Sequence, residues 1–258
     1  MGKKSCLVHK FIATVDTRII DASFLTESSL LCVIVLLASG NVLKWNVSSG
    51  ELVATYKVIE DGAITGAISD NGKICFCISH ENKYTVINTD DNNIFESSID
   101  IASGIKPVSA KIIDTQAILG LDNSEVAVID LKKDSVRHYH TEHNGAIIST
   151  TAFISKNLLF CSIGSIVYLI NMLDGTTKGK LIRHKGAVNS IALSKHYYLT
   201  GSDDKTAIVW DSSTLSPITV LKGHTKEISC VFICKDGKHC FTASNDQSIR
   251  FWDMRSGR

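Results

Sequence analysis

Six short segments, LKWN, TVIN, AVID, YLIN, IVWD and RFWD, each place an aromatic residue or isoleucine before Asn or Asp. Their third residues, Trp45, Ile87, Ile129, Ile170, Trp210 and Trp252, are separated by 42, 42, 41, 40 and 42 positions. A period of about 40–45 residues that holds several short strands signals one four-stranded blade per repeat. Together these observations predict an all-β fold, a six-bladed β-propeller of four-stranded antiparallel blades. It reads as a single domain over 1–258, with a closing strand in 1–18 and repeats near 19–60, 61–103, 104–145, 146–186, 187–226 and 227–258.

Composition agrees with a folded ring of repeats. The 258 residues are 44% hydrophobic and 21% charged, which excludes a disordered chain. Repeats enlarge a protein by adding interfaces instead of thickening one core. The formal charge of +1, from 27 Lys and Arg against 26 Asp and Glu, gives no global field to attract nucleic acid or an anionic membrane. Lys178, Lys180, Arg183, His184 and Lys185 cluster before the fifth repeat and read as a solvated strand and loop in preference to an RNA-binding patch.

The run LLCVIVLLA, Leu30 to Ala38, is about half the length of a membrane-spanning helix and reads as a buried strand. At the start, Gly2 follows the initiator, but Cys6 stands where a myristoylation signal prefers Ser or Thr, so lipidation is not expected. The 8 cysteines lie mostly in apolar strands without a disulfide framework and read as reduced core residues. Cys75 and Cys77 share one face of a strand. Cys230, Cys234, His239 and Cys240 straddle a turn, but without a CxxC pair they read as packing groups, not zinc ligands.

The fifth repeat reads most clearly as four strands: AVNSIALS, YYLTGS, then TAIVWDS after the turn DDK, and SPITVLKGH. In the first of these, Val188, Ser190, Ala192 and Ser194 alternate with Ala187, Asn189, Ile191 and Leu193, a small or polar side against a bulkier one. The segments HKGAVNS, LTGSDDKTAIVWD, GHTKEIS and FTASNDQSIRFWD resemble successive units of the WD-repeat (WD40) propeller family. That resemblance implies a hydrogen-bonded chain of His184, Thr200, Asp204 and Trp210 in blade five, and of His224, Thr242, Asp246 and Trp252 in blade six. Such chains are architectural: each buried polar group satisfies another. The earlier repeats depart from the pattern, with Ser39, Asn123 and Gly164 at the Asp position, and so rely more on apolar packing.

The last repeat supplies three strands before the chain stops, and Leu7 to Val15 reads as the fourth, joining the two ends and removing an open sheet edge. An open ring completed by a partner, or a piece of a longer protein, are the alternatives. No Walker loop, GxGxxG, HExxH, nucleophile elbow or paired CxxC is present, so the chain reads as non-enzymatic, without cofactor or metal. The resemblance implies a eukaryotic protein-interaction scaffold in the cytoplasm or nucleus, with other protein subunits as partners. Arg183, Lys185, Lys205, Lys222 and Lys226 are candidate partner-binding residues on loops. The ending through WDMR also resembles a box by which some WD-repeat proteins attach to a cullin ubiquitin ligase adaptor, which adds Asp253 and Arg255 as candidates. An RNA-associated scaffold in ribosome assembly is a third reading, weakened by the near-neutral charge.

Overall fold

The structure, a computed structural model, describes residues 15, 17–27, 30–60, 62–91, 93–102, 104–141, 145–153 and 157–258. Every regular element among them is a β-strand, and the strands form six antiparallel sheets in chain order, the architecture of a six-bladed β-propeller. Five sheets have four strands and the last has three among the described residues. The proposed closing strand lies outside the described residues except for Val15, which packs beside Val35, Leu37 and Trp45. Gly2 and Cys6 also lie outside them.

The chain divides into two compact units, Met1–Asp100 and Ile101–Arg258. The first holds blade one, made of β1 (Ile19–Glu27), β2 (Leu30–Leu37), β3 (Asn41–Asn46) and β4 (Leu52–Lys57). Its blade two is β5 (Thr65–Ile68), β6 (Ile74–Ile78), β7 (Lys83–Asn88) and β8 (Ile94–Ser98). Leu25, Ile34, Leu36 and Val42 of blade one pack on Ile68, Cys75, Cys77 and Ile87 of blade two. The apolar run is thus an inner strand that is covered on both faces only from Cys32 to Leu37; Leu30 and Leu31, expected to be buried with it, are exposed at its start.

The second unit holds the other four blades. Blade three is β9 (Pro107–Ile113), β10 (Gln116–Leu121), β11 (Glu125–Asp130) and β12 (Ser135–His140). Blade four is β13 (Ile147–Phe153), β14 (Leu158–Ile163), β15 (Ile166–Asn171) and β16 (Thr177–Ile182). Blade five is β17 (Val188–Leu193), β18 (Tyr197–Ser202), β19 (Thr206–Asp211) and β20 (Pro217–Lys222), and blade six is β21 (Ile228–Ile233), β22 (His239–Ser244) and β23 (Ile249–Asp253). Adjacent blades are packed tightly. A Cβ placed on Gly201 of β18 would lie 2.6 Å from both Ile228 Cγ2 and Val231 Cγ1 of blade six, so only hydrogen fits there.

Two sequence expectations change in this unit. The register slips between Val188 and Ser190 in β17, where one extra residue forms a bulge. The two-residue alternation read over Ala187 to Ser194 therefore does not hold: Val188 and Ile191 are buried together while Ser190, Ala192 and Leu193 are half-buried. The same slip falls between Ile228 and Cys230 in β21. It turns Val231 and Ile233 toward blade five and puts Cys230 on the opposite face with the exposed Phe232, Phe241 and Phe251. Cys230 is accordingly exposed, not a core residue. Cys32, Cys75, Cys77, Cys161 and Cys240 are buried, and Cys234 is half-buried.

Candidate interaction surface

The loop between β16 and β17 carries His184, β18 carries Thr200, the following turn carries Asp204, and β19 carries Trp210. His184 Nδ1 lies 2.8 Å from Asp204 Oδ2 and its Nε2 lies 2.8 Å from Thr200 Oγ1. The Trp210 indole N–H donates to the same hydroxyl at 2.9 Å. Because the carboxylate can only accept, the imidazole proton sits on Nδ1, Nε2 accepts the threonine proton, and the threonine oxygen accepts from the indole. Asp204 also receives the Lys185 amide at 2.9 Å and the Thr206 hydroxyl at 2.6 Å.

Blade six repeats the arrangement. His224 lies 2.8 Å from Asp246 and 2.7 Å from Thr242, and Trp252 donates to Thr242 at 2.8 Å. Both histidine side chains are 1% exposed, and both threonines are fully buried. Neither hydroxyl can reach a substrate, so these sets act as struts. Burial lowers the His184 pKa below its ordinary value, against the pull of Asp204. Burial of Asp204 opposes ionisation, but hydrogen bonds from Thr206, the Lys185 amide and His184 hold its carboxyl below the usual range.

Blades two, three and four put isoleucine at the tryptophan position, and Ile87, Ile129 and Ile170 are fully buried there. Ser39 accepts from Asn41 at 3.2 Å, Asn123 accepts the Glu125 amide at 3.2 Å, and Gly164 has φ +54°. Turn geometry at these positions is therefore met by three different local devices.

The six Asn and Asp residues that end the recurring segments share one role. Asn46, Asn88, Asp130, Asn171, Asp211 and Asp253 each accept the amide two residues on, at 2.8, 3.0, 3.1, 3.1, 2.9 and 3.1 Å. The side chain closes the turn that leads out of the third strand. Oδ1 of Asp253 also takes the Ser256 amide and hydroxyl, so that oxygen is used within its own turn.

Of the candidate partner-binding cations, the structure brings together Arg183, Lys185 and Lys222. With Asp204, Thr206, Ile208 and Val220 they line a surface depression of about 310 Å³. Lys205 stands at the tip of the β18–β19 turn with φ +69°, and Lys226 is exposed in the loop after β20. Arg255 is exposed and lines a second depression of about 580 Å³ with His196, Tyr197, Asp236, Lys238 and Met254. Lys178 pairs with Asp174 at 3.8 Å and Lys180 lies over the Tyr168 ring.

Sequence reasoning missed the apolar floor of the first depression, Ile208 and Val220, and the cation Arg250, which stacks over Trp252 at 5.9 Å. The floor follows from the register of β19 against β20, which pairs Ile208 with Val220 and Thr206 with Lys222. Among the described residues, no three His, Cys, Asp or Glu side chains group to hold a metal ion. No helix among them is long and apolar enough to cross a membrane.

Six antiparallel blades, two of them braced by a His–Asp–Thr–Trp chain, define a WD40-type β-propeller. The WD domain, G-beta repeat model matches residues 175–211 and 215–253, which run from β16 through β23. It is 22% identical over 170 residues to Transcription initiation factor TFIID subunit 5 of Caenorhabditis elegans, covering 65% of this chain and 26% of that one. It is 39% identical over 87 residues to Cross-pathway control WD-repeat protein 2 of Flammulina velutipes, covering 31% of this chain and 28% of that one. The match thus spans little more than a quarter of either relative. Among solved structures, that of U3-55K superposes with a TM-score of 0.73 at 17% identity, over 95% of this chain and 80% of that one, a likeness of fold.

Proposed function

We propose that the protein is a non-enzymatic interaction platform, a subunit of a eukaryotic multiprotein assembly in the cytoplasm or nucleus. The observation that carries this reading is the division of its polar groups. Side chains with catalytic potential in blades five and six are consumed by one another inside the blade, whereas cations stand exposed around depressions on the outside. Rigid strands that present variable loops suit docking. A relative named as a subunit of a transcription initiation factor supports the same reading. Affinity purification at endogenous level, with mass spectrometry of what is retained, tests it. Stoichiometric partner subunits are expected; a bare protein from cross-linked native cells would overturn the proposal.

A second reading rests on Arg255. Its side chain is exposed in a depression, and an arginine fork there suits a carboxylate of a ubiquitin ligase adaptor. Arg255→Ala would then abolish adaptor capture and leave thermal stability unchanged. Adaptor capture that survives the substitution removes this reading.

A further inference from the structure

We propose that the depression on blade five walled by Arg183, Lys185 and Lys222 is a docking site for an acidic, extended peptide segment of a partner protein. The proposal rests on the platform reading and specifies the chemistry of one of its partners. Three chain segments build the site: Arg183 and Lys185 come from the loop before β17, Asp204 and Thr206 from the β18–β19 turn, and Lys222 from the end of β20. Ile208, 2% exposed, and the half-buried Val220 form the apolar floor.

The cations are unanswered from within the protein. Asp204 is the one carboxylate in the wall, and its oxygens are committed to His184, the Lys185 amide and Thr206. The side chains of Arg183, Lys185 and Lys222 make no ion pair or hydrogen bond among the described residues. Like charges gathered around one depression repel, so the arrangement adds nothing to the stability of the blade. The blade does not require it either. In blade two the corresponding loop, turn and outer strand supply Glu60, Glu81, Lys83 and Glu96 around a depression of about 520 Å³, so the same place in the repeat carries mostly the opposite charge.

Charge complementarity therefore selects an anionic occupant, and the floor selects an apolar side chain beside the anion. A carboxylate fits better than a phosphate. Phosphate sites gather unpaired backbone amides, but the Lys185 amide here is already bound to Asp204, and a dianion would face the Asp204 carboxylate across the pocket. An extended segment alternating acidic and apolar residues sets one apolar side chain on Ile208 and Val220. Its flanking carboxylates meet the Arg183 fork and the two lysines.

The test uses a fluorescein-labelled peptide alternating aspartate and leucine, a partner peptide with asparagine in place of aspartate, and a serine-phosphorylated version, read by fluorescence anisotropy on the full chain. The acidic peptide is expected to bind at least about tenfold tighter than the asparagine peptide at low salt, with the difference shrinking as salt rises. Lys185→Glu with Lys222→Glu should remove about tenfold or more of that affinity. The same charge change at the exposed Lys195 and Lys235 should cost less than about twofold. The milder pair Lys185→Gln with Lys222→Gln covers the case in which reversal disturbs folding. Equal binding of the acidic and asparagine peptides, equal losses in the two charge-reversed proteins, or binding of the phosphorylated peptide alone overturns the proposal. Partner subunits recovered from cells alongside any of those results would sink the pocket assignment and leave the platform reading standing, whereas a bare protein would sink the platform reading.

Discussion

The Trp210 indole N–H and the His184 imidazole meet on one oxygen, Thr200 Oγ1, at 2.9 and 2.8 Å. One fully buried hydroxyl thus satisfies a donor on β19 and an acceptor in the loop before β17. The loop, the second strand and the third strand are tied at one atom. Thr200→Val keeps the shape and strands both partners, which should lower stability by about 2–4 kcal/mol. Thr200→Ser keeps the hydroxyl and should cost only about 1 kcal/mol. Trp210→Phe should fall between them, and Trp210→Ala should cost about 3–5 kcal/mol. Urea unfolding measures all four, and equal midpoints for the valine and serine variants would contradict the shared-oxygen account.

The closing Asn or Asp of each repeat is used as an acceptor. Asn46 receives the Ser48 amide at 2.8 Å and the Ser49 amide at 3.3 Å through its side-chain oxygen, a job that either residue type can do. Asn46→Asp should therefore change stability by less than about 0.5 kcal/mol, while Asn46→Ala should cost about 1 kcal/mol, as for loss of a helix cap. Thermal unfolding distinguishes these outcomes. A large effect of Asn46→Asp would show that the amide NH₂ is also needed.

These two relationships explain which parts of the molecule were legible in its sequence. The period showed because every blade needs the same turn acceptor after its third strand and a bulky residue before it, and both leave marks at fixed spacing. Strand bulges left no mark, because an extra residue such as Asn189 differs in hydrogen-bond register, not in type. The exposure of Cys230 follows from one such slip. The cationic depression was half legible: Arg183 and Lys185 stand together in the sequence, but Lys222, Ile208 and Val220 join them only through the pairing of β19 with β20. In the first four repeats the polar chain is replaced by isoleucine packing or by local turn hydrogen bonds, which carry no single signature.

Acid should destabilise the protein in two stages. Burial places the folded pKa of His184 below 6.5, so the unfolded chain binds the proton more readily. The stability contributed by the neutral imidazole is complete above that pH and is lost as pH falls below it. Asp204 and Asp246 are held below 3.8, so their contribution is present above that value and is lost as pH falls through it toward their folded pKa values. Urea midpoints should be level above about pH 7, decline below about pH 6.5 and drop again below about pH 4. A rise in stability from about pH 7 to about pH 5 would mean that His184 takes up its proton in the folded state, against the burial argument.

Thiol reactivity should follow the strand bulge in β21. Burial pushes Cys75, Cys161 and Cys240 up to about 12 and raises Cys77 further, so their thiolates are scarce as well as inaccessible. Cys230 is exposed because the slip between Ile228 and Cys230 turns it away from blade five. A maleimide at neutral pH should modify Cys230 in the native protein, while Cys32, Cys75, Cys77, Cys161 and Cys240 react only after denaturation. Peptide mapping after brief labelling assigns each site among the described residues. Cys230→Ser should remove that native modification and leave the unfolding midpoint within about 0.5 kcal/mol, since the side chain is on the surface. Protection of Cys230 to the same degree as Cys240 would overturn the placement of the bulge, because without the slip Cys230 would share the buried face of Ile228.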